Sequence, residues 1–155
     1  MSCKNTTFRF AGTLWNSLAN GEGCRDVIFF SGCTRNCKGC HNKDMQSFDF
    51  GKEEDIDYIS HRVIMHHERG IIDGVTLSGG DPLFQPDALI RFCEIFKKNG
   101  INIWLYTGAT IDTIDDKILE LVNVVVDGEY IEELKVEDGH TRYIGSSNQI
   151  IHRLR

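Results

Sequence analysis

Three closely spaced cysteines are the residues of this chain best suited to chemistry. Cys33, Cys37 and Cys40 follow the pattern C-x3-C-x2-C, so half of the six cysteines fall within eight residues. Clustered thiols in a chain without a secretory signal are more typical of metal or redox chemistry than of structural disulfides. The spacing would suit one face of a helix, but Gly32 and Gly39 favour a wrapping loop. We call Ser31–Asn42 the cysteine loop.

Three thiolates leave a tetrahedral metal ion one ligand short. A structural zinc ion takes a fourth Cys or a His, and His41 directly follows Cys40. Zinc ligands usually come as two separated pairs, whereas three compact cysteines suit a [4Fe-4S] cluster with one iron left open to a ligand. The spacing therefore favours an iron–sulfur cluster, with a Cys3His zinc site as the alternative. Cys24 is a weaker candidate for an additional ligand.

The elements that must position the cysteines alternate between strands and amphipathic helices. The expected strands are 7–11, 27–30, 75–78, 101–106 and 124–126, the expected helices are 53–69, 86–98 and 111–122, and a short element returns near 142–152. This order predicts a parallel sheet with right-handed crossovers. We expect one α/β domain over 1–155, built as an incomplete (β/α) barrel or a curved, open, mainly parallel sheet.

Glycine-bearing polar segments follow these strands, at the sheet edge where the functional groups of such folds gather. They are the cysteine loop, Gly79-Gly80-Asp81-Pro82, Tyr106-Thr107-Gly108 and Asp127-Gly128. Paired glycines would let a ligand approach the backbone, and Asp81 has the charge to pair with an ammonium group. An ordinary turn with Asp81 near a helix start is the alternative. Trp104 and Tyr106 are expected to pack on the face opposite Ile103 and Leu105.

Composition limits the class of protein. The net charge of −6 argues against a general nucleic-acid binder. The sequence contains no run of eighteen apolar residues, so we expect no membrane span. It also shows no signal-peptide pattern, from which we expect a cytoplasmic location. Arg25, Arg35, Lys38 and Lys43 surround the cysteines in sequence and are interpreted either as a solvated surface or as a docking patch for an acidic partner.

The cysteine pattern after a strand, followed about forty residues later by Gly-Gly-Asp-Pro, resembles the radical S-adenosylmethionine (SAM) superfamily. Within it the chain is similar to the glycyl-radical activating enzymes, most of all to the family that activates anaerobic (class III) ribonucleoside-triphosphate reductases. The likeness extends from about residue 10 to the end of the chain. The segments that carry it are Asn20–Arg25, Phe30–Cys33, Cys37–Asn42, Leu77–Pro82, Trp104–Gly108, Val126–Glu129 and Gly145–Gln149.

The resemblance implies a radical SAM oxidoreductase with one [4Fe-4S] cluster and SAM as cofactors. The implied cluster ligands are Cys33, Cys37 and Cys40. The residues implied at the amino end of SAM are Gly79, Gly80 and Asp81. Those implied beside its adenosyl part are Gly39, Cys40 and His41.

The implied reaction begins when the reduced cluster splits SAM into methionine and a 5′-deoxyadenosyl radical. That radical would take a Cα hydrogen from a glycine of the large subunit of anaerobic ribonucleoside-triphosphate reductase. A flavodoxin-type protein is the implied electron donor, docking at the basic patch, and neither nucleic acid nor membrane is expected as a partner. Activation of a different glycyl-radical enzyme, of the formate-lyase type, is the alternative, as is a non-catalytic zinc adaptor.

Overall fold

The computed structural model describes residues 6–138 and 142–155 of the chain. Cys3 and His140, for which the sequence indicates no role, lie outside the described residues. The strands are β1 Thr7–Ser17, β2 Arg25–Phe30, β3 Lys52–Asp55, β4 Gly74–Gly79, β5 Asn102–Tyr106, β6 Val124–Asp127 and β7 Ile150–Arg153. The helices are α1 Ile56–Glu68, α2 Pro86–Lys98 and α3 Asp116–Leu121.

One sheet in the order β3-β1-β2-β4-β5-β6-β7 forms the centre of a mixed α/β domain. The four central strands, β2, β4, β5 and β6, run parallel, as the alternation of strands and helices predicts. The outer strands β1, β3 and β7 pair antiparallel. Over the described residues the sheet is not closed. The expected α/β domain with a parallel sheet is therefore confirmed for the four central strands, whereas the antiparallel pairing of the outer strands was not predicted.

The helices pack on one face of the sheet. The main core joins inward residues of the strands, such as Leu77 and Leu105, to helix residues such as Phe92 and Val63. A smaller apolar cluster covers the other face around Trp104, and Tyr106 packs against it. This division confirms that Trp104 and Tyr106 lie opposite Ile103 and Leu105, because side chains alternate between the faces of a strand.

Several predicted boundaries were wrong. The expected helix 53–69 begins only at Ile56, because residues 52–55 pair with β1 as an edge strand. The charged residues 52–55 show no alternation typical of a strand, but an edge strand tolerates charged side chains. Asp55 then caps α1 by accepting from the N–H groups of Asp57 and Tyr58. The expected helix 111–122 is a 3₁₀ turn, Ile111–Thr113, followed by the short α3. The first strand continues past residue 11 to Ser17.

Candidate metal centre and cofactor cavity

The three clustered cysteines line one cavity. It has a volume of about 470 Å³ and lies at the carboxyl ends of the parallel strands. Cys33, Cys37 and Cys40 are free, partly exposed thiols, and Ser31 to Gly39 contains no helix. The preference for a wrapping loop over a helix face is therefore confirmed. Cys24 precedes β2, at the amino ends of the parallel strands, and does not line this cavity, which makes it a wrong candidate for a ligand.

Backbone hydrogen bonds hold the cysteine loop against a 3₁₀ turn at Lys43–Gln46. The N–H of Gly32 donates to the Met45 carbonyl at 2.7 Å, and the N–H of Cys33 donates to the Gln46 carbonyl at 2.9 Å. Within the loop, the N–H of Cys40 donates to the Cys37 carbonyl at 3.2 Å. These bonds close the loop on itself, so the cysteines project from a folded segment.

Gly79 and Gly80 let the end of β4 pack directly against the end of β2 and the start of the cysteine loop. The N–H of Gly80 donates to the Phe30 carbonyl at 2.8 Å, and the N–H of Asp81 donates to the Gly32 carbonyl at 2.9 Å. A Cβ on Gly80 would lie 2.5 Å from the carbonyl oxygens of both Gly32 and Met45. The paired glycines predict that a ligand approaches the backbone here. Both glycines line the cavity, but their close neighbours belong to the chain itself: the backbone at the end of β2 approaches Gly79, and that of Gly32 and Met45 approaches Gly80.

Asp81 is buried, with 1% of its surface exposed, and four donors of the chain satisfy its carboxylate. Its Oδ1 accepts from the Leu83 N–H at 3.0 Å and its Oδ2 from the Gly108 N–H at 3.0 Å. The Thr107 hydroxyl lies within 3.0 Å of both oxygens, and Arg35 Nε donates to Oδ2 at 3.1 Å. The bond to Leu83 caps a 3₁₀ turn, so the turn-start interpretation of Asp81 is confirmed.

The four cations that the sequence places around the cysteines do not form one basic patch. Arg25 lies at the amino end of β2, 2% exposed, and donates to Thr76 and to the carbonyls of Glu22 and Val75. Burial lowers the pKa of Arg25 to about 10, so it stays charged at neutral pH. Arg35 points inward to Asp81. Arg25 lies far from the other cations because the six residues of β2 separate it from the cysteine loop by roughly 20 Å.

A segment after β6, Gly128–Leu134, lies over the cysteine loop, and we call it the strap. Gly39 has φ +75°, and a Cβ there would collide with the Glu132 carboxylate. That carboxylate also accepts from the Tyr130 hydroxyl at 2.7 Å. Desolvation and Glu132 raise the pKa of Tyr130 to about 12, which keeps the hydroxyl protonated as a donor. The Tyr130 ring lies 4.9 Å from the His41 ring, so the strap covers both neighbours of Cys40.

Backbone amides influence two of the cysteine thiols. Burial raises the pKa of Cys33 and Cys37, while the backbone N–H of Arg35 at Cys33, that of Tyr130 at Cys37 and the charge of Arg35 act in the opposite direction. Backbone N–H groups directed at cysteine sulfurs stabilise thiolate ligands of iron–sulfur clusters. Among the described residues, no three His, Cys, Asp or Glu side chains are grouped so that they could hold a single metal ion.

The far wall of the cavity includes Tyr143, which the sequence did not assign to it. Tyr106 Oη donates to the Tyr143 carbonyl at 2.8 Å, and both residues line the cavity. Gln149 Oε1 accepts from the Gly145 N–H at 2.7 Å, and its Nε2 donates to the Gly128 carbonyl at 3.0 Å. The sequence signals for this wall are three segments of the resemblance, Trp104–Gly108, Val126–Glu129 and Gly145–Gln149. Tyr143 has no such signal, because its contact with Tyr106 joins distant parts of the chain.

Comparison with known proteins gives a consistent family. A family model described as a 4Fe-4S single cluster domain matches residues 19–152. The chain is 38% identical over 147 residues to the anaerobic ribonucleoside-triphosphate reductase-activating protein of Haemophilus influenzae, covering 89% of this chain and 93% of that protein. The Escherichia coli K12 protein of that name is 35% identical over 147 residues, covering 89% and 94%, and the phage T4 protein 31% over 139 residues, covering 85% of each. The chain belongs to this family of activating proteins.

Membership of the activating-protein family confirms the resemblance to it that the sequence indicates. The donor set at the cavity fits the cluster named in the family model, because three free thiols of one loop line the same cavity. The other described cysteines of this family member, Cys24 and Cys93, do not line the cavity. Across residues 6–138 and 142–155, no helix is both long and apolar enough to cross a membrane.

Proposed function

We propose that this protein is an iron–sulfur and SAM-dependent activase of an anaerobic ribonucleoside-triphosphate reductase. The observation that carries the proposal is the meeting of three free thiols and three glycine-bearing strand-end loops around one cavity, in a chain of the activating-protein family. The cavity volume of about 470 Å³ lies within the range of small-molecule sites, about 300–1,000 Å³.

The cysteines would each bind one iron of a [4Fe-4S] cluster and leave the fourth iron to SAM. When bound and reduced, such a cluster would supply the one electron needed to cleave SAM to methionine and a 5′-deoxyadenosyl radical, and that radical would take a glycine Cα hydrogen from the reductase. Gly79 and Gly80 present backbone at the amino end of SAM. The carboxylate oxygens of Asp81 are already bonded to the chain, so Asp81 would support the amino end of SAM indirectly, by holding the surrounding loops in place.

The adenosyl part of SAM would lie beside Gly39, Cys40 and His41. Glu132 fills the space that a side chain at position 39 would take, so Gly39 offers only backbone there. The rings of His41 and Tyr130 form one side of the cavity mouth. Chain groups on both sides of the cleft would thus orient SAM and exclude water from the reacting bond.

A protein must reach this cavity if a reductase glycine is the substrate, and the names of the relatives support that target. A flavodoxin-type electron donor remains a prediction. With Arg25 and Arg35 in internal contacts, Lys38 and Lys43 are the cations left for donor docking at the cysteine loop. The paired variant Lys38→Gln with Lys43→Gln should slow reduction by the donor and leave reduction by dithionite unchanged. A cytoplasmic location also remains a prediction.

The decisive experiment is anaerobic reconstitution with iron and sulfide, reduction, and incubation with SAM and the reductase. The proposal expects a brown protein, release of 5′-deoxyadenosine and a glycyl radical in the electron paramagnetic resonance (EPR) spectrum of the reductase. Cys37→Ser should abolish all three signals, whereas the matched control Cys24→Ser, at the other sheet edge, should retain them. A colourless protein with one tightly bound zinc would overturn the proposal. A radical formed only on a formate-lyase-type enzyme would change the target.

A further inference from the structure

Arg35 lies inside the cysteine loop, midway between Cys33 and Cys37, yet its side chain turns inward. Only 22% of that side chain is exposed, compared with 83% for Lys38 in the same loop. An arginine in a solvated loop ordinarily keeps its guanidinium in water. The inward orientation therefore calls for partners inside the fold.

The guanidinium of Arg35 spans the carboxyl ends of three parallel strands. Its Nε is 3.1 Å from Asp81 Oδ2 after β4, and its Nη1 is 3.7 Å from Glu129 Oε1 after β6. Between them the side chain lies directly against Gly108 after β5, where a Cβ would collide with it. Its Cζ lies 5.5 Å from the centre of the Phe84 ring, which supplies a cation–π contact.

Asp81, the closer partner of Arg35, is held in place by other groups of the chain. The Asp81 carboxylate is buried and receives N–H or O–H bonds from Leu83, Thr107 and Gly108 besides the bond from Arg35. These donors belong to the segments that directly follow β4 and β5. A bond from Arg35 to Asp81 therefore joins the middle of the cysteine loop to a carboxylate that the sheet edge holds in place.

We propose that Arg35 is a positioning residue whose pairing with Asp81 clamps the cysteine loop to the strand ends and so retains the cluster. The inference rests on the proposed function, since it assumes a cluster on the three cysteines. Arginine suits the task because its planar fork can direct two nitrogens at two carboxylates, which the single ammonium of lysine cannot do. Asp81 accordingly acts on the cofactors through Arg35, and direct contact with SAM is the rival role.

The test measures how fast reconstituted protein loses its cluster to an iron chelator under anaerobic conditions. Arg35→Gln should lose it about tenfold faster than wild type, the factor that corresponds to about 1.4 kcal/mol. Asp81→Asn should show a similar loss, and the double variant should be no faster than the single ones because the two act as a pair. Lys38→Gln is the matched control and should stay within about twofold, since its ion pair to Glu133 is exposed.

A charge-conserving variant separates positioning from general disruption of the loop. Arg35→Lys should recover part of the retention, and it should return the midpoint potential of the cluster toward the wild-type value. Arg35→Gln should shift that potential in the negative direction, because it removes a positive charge beside Cys33 and Cys37. Circular dichroism of the cluster-free variants identifies any that fail to fold. If Asp81→Asn is one of these, Arg35→Gln and Arg35→Lys carry the test.

Three results would overturn the inference. In the first, Arg35→Gln loses its cluster no faster than Lys38→Gln, and in the second, the losses of the single variants multiply in the double one. The third is an Asp81→Asn protein that keeps its cluster but binds SAM more weakly, which would assign Asp81 to SAM directly. A wild-type protein that takes up no iron–sulfur cluster would instead refute the proposed function, and the two failures are thereby distinguished.

Discussion

Replacing Gly80 by alanine would place a methyl group against the backbone of the cysteine loop. The added Cβ would lie 2.5 Å from the carbonyl oxygens of Gly32 and Met45, about 0.9 Å closer than the 3.4 Å at which ordinary contact begins. Neither oxygen belongs to a side chain that can rotate away. Relief requires the loop to move off β4, and this movement stretches the 2.9 Å bond from the Asp81 N–H to the Gly32 carbonyl.

The cost follows from these two effects. Overpacking of a close-packed site costs about 1–3 kcal/mol, and a weakened backbone hydrogen bond adds about 1 kcal/mol. We therefore expect Gly80→Ala to lower the free energy of unfolding of the cluster-free protein by about 2–4 kcal/mol. Because the displaced segment carries the cysteines, the variant should also take up less iron and sulfide per folded chain.

Urea denaturation followed by circular dichroism measures the first effect, and iron and sulfide analysis after anaerobic reconstitution measures the second. Gly100→Ala is the matched control. Gly100 follows α2 with φ +70°, and a Cβ added there would meet nothing within 4 Å, so alanine adds backbone strain of about 1 kcal/mol without a clash. If Gly80→Ala costs no more than Gly100→Ala, or loads its cluster normally, the close approach of β4 and the cysteine loop is not what demands glycine.

Three further outcomes test other parts of the structure. Gly39→Ala should weaken cluster retention for two reasons, the φ of +75° at this position and the collision of the new Cβ with Glu132. Adding Glu132→Ala should remove the collision but leave about 1 kcal/mol of backbone strain, so retention should recover only in part. Full recovery in the chelator assay would contradict this account. Arg25→Gln should lower the free energy of unfolding by about 3 kcal/mol in urea, because it strands buried acceptors, while cluster content per folded chain stays unchanged. Cys93 is fully buried in the core, which also raises the pKa of its thiol, whereas Cys33 is partly exposed; iodoacetamide should therefore label Cys33 but spare Cys93 in native cluster-free protein. Peptide mapping that finds Cys93 labelled would disprove its packing.

Local patterns were enough for the parts of the fold that bury a regular apolar face. Helix α2 lies at Pro86–Lys98, as the spacing of Leu89, Phe92, Cys93 and Phe96 predicts. The buried strands β2 and β4 likewise follow from short apolar runs. By contrast, β3 has only charged residues and exists because β1 offers it a partner 42 or more residues away in sequence. A pairing of that kind leaves no local signal.

Residue types and short spacings were sufficient to identify the groups that could take part in chemistry. They reveal three thiols in a compact loop after a buried strand, glycines at other strand ends, and the family to which the motifs belong, because a chain displays these properties before it folds. The places where the charges act depend instead on the folded chain. Arg25 and Arg35 look equivalent in sequence, but strand β2 separates them, so they lie at opposite ends of the parallel strands. The crossovers bring Asp81 to Arg35 across 46 residues, and the strength of an electrostatic contact depends on that distance in space.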